Sequence, residues 1–167
     1  ASDVYKRQEE YIYRNPLSIF KDVETEPLFE LAGEQITAYE GIRGKLRSQS
    51  PILLHGVTAS GKTEVYFKLI KDVIDSGKNV LFLAPEIALA SQLTKRLARK
   101  FGIKDVAIWH SSISDGEKYD VWQRLFKNEI KILAGARSAV FAPLQNIGLI
   151  IIDEEHESAY KLSLIHI

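Results

Sequence analysis

Gly56-Val57-Thr58-Ala59-Ser60-Gly61-Lys62-Thr63 follows an apolar run, Ile52-Leu53-Leu54, and precedes an amphipathic one that begins at Glu64. The octet fits G-x-x-x-x-G-K-[ST], and strand–loop–helix is the setting in which that pattern wraps a phosphate chain. Glycine lets the backbone curl until successive N–H groups converge on one anion, and the start of the next helix adds partial positive charge. Such a loop places Lys62 at the β- and γ-phosphates and the Thr63 hydroxyl on magnesium. Four fixed positions recur by chance in roughly one chain per hundred or fewer.

Outward from this loop, short strands alternate with helices. Pro51–His55 reads as a strand, and Glu64–Ser76 as a helix with Val65, Leu69, Ile70, Val73 and Ile74 inward, closed by Gly77. Asn79–Ala84 is a continuous apolar strand stopped by Pro85. Leu89, Leu93, Leu97 and Phe101 recur at helical spacing over Ala88–Phe101. Val106–Trp109 is a short strand, and Ser114-Asp115-Gly116-Glu117 is a capping box opening a helix to about Asn128. Ile130–Ala134 and Ile147–Ile152 are further strands. Upstream, Ile36, Tyr39, Ile42 and Leu46 share one helical face, interrupted by Gly41 and Gly44.

Unbroken Val/Ile/Leu strands are buried on both faces, as in a parallel sheet covered by helices. Crossovers of about a dozen helical residues make right-handed βαβ units. The expected fold is therefore α/β, a doubly wound, mostly parallel sheet with helices on both faces. Ligands in such sheets lie beyond the carboxyl ends of the strands.

The last strand, Ile147-Gly148-Leu149-Ile150-Ile151-Ile152, ends at Asp153-Glu154-Glu155-His156. A dry strand delivering an acid suits a magnesium carboxylate, so Asp153 is expected on the metal, directly or through water. Glu154 is placed to accept a proton from an attacking water. An acid pair favours ATPase machinery, so the expected cofactors are ATP and Mg2+. No arginine finger is evident beyond this strand, and an isolated domain of this sequence is expected to turn nucleotide over poorly.

Composition narrows the partners. The 167 residues suit one domain with a real core. Lys plus Arg and Asp plus Glu stand at 22 each, so no global basic field advertises nucleic acid, though a local patch remains open. No apolar run is long enough to span a bilayer and no signal peptide is visible, and a cytoplasmic location is expected. Cys is absent, which rules out thiolate zinc within these residues. Met is absent even at position 1, and the chain reads as a fragment. Residues 1–8 read as an extraneous end, 9–32 as a linker from an upstream domain, 33–161 as the nucleotide-binding lobe, and 162–167 as an extraneous or truncated end. Within the linker, Tyr11, Tyr13, Leu17 and Phe20 suit docking on a neighbouring domain or packing on the domain present.

With "LLHGVTASGKTEVY" and "DEEHESAYK" in place, the chain resembles the first helicase lobe of the PriA (primosomal protein N-prime) family of replication-restart helicases. "LAPEIALASQL", "HSSISDGEKYDVW" and "GARSAVFAPLQNIGLIIIDEEHE" extend the resemblance over roughly Glu34 to Lys161. It implies a RecA-like P-loop NTPase domain of a superfamily 2 helicase. The implied activity is 3′→5′ movement on single-stranded and forked DNA in replication restart. Primosome and single-strand-binding proteins are the implied partners, and zinc is expected only in a downstream part. By position, Gln35 would read the adenine and His156 would link hydrolysis to DNA. Ser158, Tyr160 and Lys161 would begin a coupling loop. Pro85 and Glu86, His110 and Ser111, and Arg137 and Ser138 would line a DNA track. Loops at strand ends can offer side chains and N–H groups to phosphates without reading bases. Each residue also has a plain structural reading: Arg137 as a surface charge, Trp109 and Trp122 as core, His110 as a satisfied buried group.

The chain departs from the family pattern at several positions. Ala59 stands for a glycine in the loop, tolerable if its φ is negative and costly otherwise. Ala90 and Ala136 stand where threonine is usual, and Ala32-Gly33 gives the first helix a weak cap. The alternatives are another Walker-type ATPase, or a nucleotide-binding module without unwinding activity.

Overall fold

The computed structural model describes residues 12–17, 24–48, 50–57 and 60–154. Strands β1 (Asn79–Leu83), β2 (Val106–Trp109), β3 (Ile132–Gly135) and β4 (Ile147–Ile152) form one sheet in the order β2-β3-β1-β4. Every pairing is parallel. The register sets Ile108, Ala134, Phe82 and Ile151 in one row, and Ala107, Leu133, Leu81 and Ile150 in the next. Alternate residues of a strand face opposite sides. The first row packs with Phe67 and Ile70 of α2 (Lys62–Asp75) and Leu93 and Leu97 of α3 (Ile87–Phe101). On the other side, Ala107, Leu133 and Leu81 of the second row meet Val121 and Leu125 of α4 (Asp115–Phe126) and Ala139 of a 3-10 turn, Arg137–Phe141. Two apolar layers on β1, β2 and β3 give the doubly wound arrangement that the strand composition calls for. β4, at the sheet edge, is not the dry strand expected: Ile147, Ile150 and Ile152 are exposed.

The local signals operate as chemistry requires. At the start of α4, the Ser114 hydroxyl accepts from the Glu117 N–H at 3.3 Å, while the Glu117 carboxylate accepts from the Ser114 N–H at 3.0 Å. The Ser114 hydroxyl also donates to that carboxylate at 2.6 Å, and this bond, then the one from the Ser114 N–H, holds the Glu117 carboxyl below its ordinary value. Gly77 takes φ 78° just beyond α2, a conformation that disfavours other side chains. Asn79 is fully buried at the head of β1 and donates to Asn128 Oδ1 at 2.6 Å and to the Gln145 carbonyl at 2.7 Å. It thereby ties the turn before β3 to the turn before β4.

Helix α1 (Glu34–Lys45) buries no residue completely, and Gly33 caps it without a side-chain bond, in keeping with its weak start signal. It is fastened instead through one carboxylate of α2. The Tyr39 hydroxyl donates to Asp72, and Arg43 Nε lies 3.3 Å from the same oxygen.

One expected strand is not formed. Residues 51–57 are described without strand pairing, and Leu53 is 73% exposed. A strand needs a partner edge. The sheet's outer edges belong to β2 and β4, and among the described residues the 51–57 run pairs with neither. Among the described residues of the entry segment, Leu17 is buried in the layer beneath α2 and α3, and Tyr13 accepts a hydrogen bond from Lys127. Tyr11 and Phe20 lie outside the described residues.

Candidate functional site

Parallel strands put their carboxyl ends on one edge, and the singled-out residues gather there. β1 runs into Pro85 and Glu86, β2 into His110 and Ser111, β3 into Arg137 and Ser138, and β4 into Asp153 and Glu154.

The loop from Gly56 is tightly curled. A Cβ at Gly56 would fall 2.9 Å from Ser60 Oγ, and the Ser60 N–H donates to the Val57 carbonyl at 3.2 Å. Gly61 caps α2 at φ 80°, a left-handed conformation that favours glycine. Lys62, the first residue of α2, folds back over the loop and donates to the carbonyls of Gly56 at 2.6 Å and Val57 at 3.1 Å. Thr58 and Ala59 lie outside the described residues.

Gln35 sits in the first turn of α1, beside this loop. Its Nε2 donates to the Ser60 carbonyl at 3.3 Å while its Oε1 accepts from the Ala32 N–H at 3.2 Å. A Cβ at Gly61 would collide with the same amide nitrogen. The Asp72 clasp on Tyr39 and Arg43 therefore has a use: it holds the helix that carries Gln35 against the loop. Burial, then the Asp72 bond, raises the Tyr39 hydroxyl above its ordinary pKa, so the clasp keeps its proton.

Packing brings the acidic turn level with the loop. A Cβ at Gly148, early in β4, would fall 2.8 Å from Val73 Cγ1, late in α2. From that contact α2 runs back roughly eleven residues to Lys62, about 16 Å of helix. β4 runs forward roughly five residues to Asp153, about 17 Å of strand. Helix and strand thus reach the same edge together. The Asp153 N–H is fixed by the Leu83 carbonyl at 3.0 Å, and the side chain is half-buried. Glu154 is exposed with φ 51°, a conformation that strains a side chain of its kind.

The donor set is hard and sparse. Among the described residues no group of three His, Cys, Asp or Glu could hold a metal by itself. One hydroxyl and one carboxylate suit magnesium, which keeps several waters and draws its remaining ligands from phosphate.

His110 is 8% exposed, and its Nδ1 accepts from the Ser112 N–H at 3.2 Å. Burial pushes the imidazole below the ordinary histidine value, with Glu117 opposing and Lys118 adding to the shift. The ring shapes the loop after β2, while Ser111 is the exposed member of the pair. Arg137 and Ser138 are exposed on the 3-10 turn, and Glu86 is exposed at the head of α3 with Pro85 buried behind it. His156, Ser158, Tyr160 and Lys161 lie outside the described residues. Trp109 and Trp122 pack at 6.2 Å, and Trp122 is 42% exposed rather than core, because it shares the outer face of α4 with Tyr119 and Phe126.

Arg96 of α3 escapes a sequence reading. Its guanidinium lies 3.4 Å from Thr63 Oγ1 and 3.4 Å from Glu64 Oε1. Nothing local marks a contact between residues so far apart in the chain.

A family model described as "Type III restriction enzyme, res subunit" matches residues 28–167. The chain is 48% identical over 158 residues to the replication restart protein PriA of Bacillus subtilis, covering 93% of this chain and 19% of that protein. It is 52% identical over 116 residues to the PriA of Synechocystis, covering 70% and 14%. Against the PriA of Chlamydia pneumoniae it is 41% identical over 134 residues, covering 79% and 18%. The chain thus spans about a fifth or less of the length of these relatives.

Proposed function

The chain belongs to the family described as type III restriction enzyme, res subunit, and from that premise we propose that it is the ATP-binding and hydrolysing lobe of a 3′→5′ DNA helicase acting in replication restart and primosome assembly. Residues 33–161 form the lobe in this reading, with 9–32 as its link to an upstream domain. The supporting observation is the shared sheet edge at which a curled glycine loop, its lysine and a strand-end aspartate come level.

Bound magnesium nucleotide supplies the phosphoanhydride to be cleaved and the divalent charge that steadies it. Lys62 exchanges its two loop carbonyls for the β- and γ-phosphate oxygens, with amides of Gly56, Val57, Thr58, Ala59, Ser60 and Gly61 lining the same anion. Thr63 and Asp153 would hold the metal, and Glu154 would take a proton from the attacking water. Gln35, already bonded to the loop, turns its amide to the adenine edge. Pro85, Glu86, Ser111, Arg137 and Ser138 present a sequence-neutral track for single-stranded or forked DNA, with His110 shaping its floor and His156 coupling track to hydrolysis. Primosome and single-strand-binding proteins would act through parts of a longer chain, which would also hold any zinc. Among the described residues no helix is long and apolar enough to cross a membrane, and the proposed setting is the cytoplasm.

ATPase measurements with and without single-stranded DNA test the reading, using a polypeptide extended through a second helicase lobe. Stimulation by DNA is expected. Hydrolysis that ignores DNA would leave another Walker-type ATPase, and nucleotide binding without turnover would leave a binding module.

A further inference from the structure

Arg96 occupies an electrostatically odd place. A helix N-terminus carries partial positive charge and disfavours cations. Yet Arg96 approaches the first turn of α2, where Lys62 already sits, and Glu64 is the acid it meets there. The guanidinium reaches Thr63 Oγ1 and Glu64 Oε1 together, and its carbon lies 5.4 Å from the centre of the Phe67 ring one turn further on. A hydroxyl, a carboxylate and an aromatic face, all near the start of one helix, therefore grip one planar group. Lysine could not reproduce that fork.

From this contact, and resting on the nucleotide reading above, we infer that Arg96 is a positioning residue that holds the Thr63 hydroxyl in register for magnesium. The guanidinium donates to one lone pair of Oγ1, which fixes the side-chain rotamer before the metal arrives and leaves the other lone pair for it. Glu64 anchors Arg96 in turn, so one side chain of α3 is held by two neighbouring residues of α2. Glu64 offsets part of the positive charge gathered beside the loop, and a bound phosphate would offset more. Neighbouring cations are engaged elsewhere, Lys100 by the Pro27 carbonyl and Glu26, and Arg99 by Glu26.

The inference is tested by a magnesium titration of fluorescent ATP-analogue binding to this chain, beside binding without metal, in Arg96→Ala, Arg96→Lys and Glu64→Gln. Partners that orient a metal ligand change metal affinity by about tenfold or more when removed. Arg96→Ala and Arg96→Lys should therefore raise the magnesium midpoint by about tenfold, and Glu64→Gln by less, with metal-free affinity within about twofold for Arg96→Lys. A midpoint that stays put in both Arg96 variants overturns the inference while the nucleotide site stands. Full recovery by Arg96→Lys also overturns it, since charge alone would then account for the effect. If the parent chain gains nothing from magnesium, the metal role of Thr63 and this inference fall together.

Discussion

The ammonium of Lys62 lies 2.6 Å from the carbonyl oxygen of Gly56, closing the loop upon itself. The same ammonium is 3.1 Å from the Val57 carbonyl, so two neutral acceptors occupy a charge that phosphate oxygens would bind more strongly. Each hydrogen bond to a charged partner contributes about 1.5–3 kcal/mol. Lys62→Ala should therefore weaken ATP-analogue binding by at least about tenfold in a fluorescence titration. Undiminished affinity would remove the loop from consideration as a phosphate site.

Gly61 carries two constraints at once. Its φ of 80° strains any other residue, and a side chain there would strike the Gln35 amide. Gly61→Ala should cost about 1–2 kcal/mol from the backbone alone, with the collision added. Combining it with Gln35→Ala should recover the collision and leave the backbone part, a non-additivity that thermal unfolding of the four proteins measures. Strict additivity would mean that helix α1 does not seat Gln35 against the loop.

Much of this architecture is legible in the chain because its signals are local. The loop pattern, the Ser114–Glu117 box and the apolar run of β4 each announce themselves within a few residues. Pairing is not local. The run at Ile52–Leu54 has strand composition but no described partner, while the Asp72 clasp and the Arg96 contact join residues about thirty or more apart. Trp122 misleads for a related reason: aromatic composition suggests core, but the face of α4 that it occupies is decided by Val121, Arg124 and Leu125, which take the buried side.

Acid should loosen the loop after β2. Burial depresses the His110 pKa, so the folded state favours the neutral ring while the unfolded chain protonates normally. Stability is thus full above the unfolded value of about 6.5 and declines as pH falls from there toward the folded value. Glu117 and Lys118 are the charged neighbours. The Glu117 carboxyl, held low by Ser114, contributes stability that is lost only in the carboxylate range, which keeps the two windows apart. Denaturant melts at pH 7 and 5.5 should show a loss in the parent that His110→Gln reduces. Equal losses in both would place the acid sensitivity elsewhere.

Glu154 combines a strained backbone with the chemistry assigned to it. At φ 51° its side chain costs about 1–2 kcal/mol relative to an ordinary conformation, a cost that glycine would not carry. A residue that served only as a turn would improve on replacement. Glu154→Gly should raise the unfolding midpoint slightly, whereas Glu154→Gln, which keeps the strain, should leave it unchanged. If the carboxylate takes the proton from water, both variants should lose about a hundredfold or more of DNA-stimulated turnover in the extended polypeptide, with nucleotide affinity kept. The two readouts separate conformation from chemistry: stability follows the backbone, turnover follows the carboxylate. Turnover surviving in Glu154→Gln would move the proton acceptor to another group.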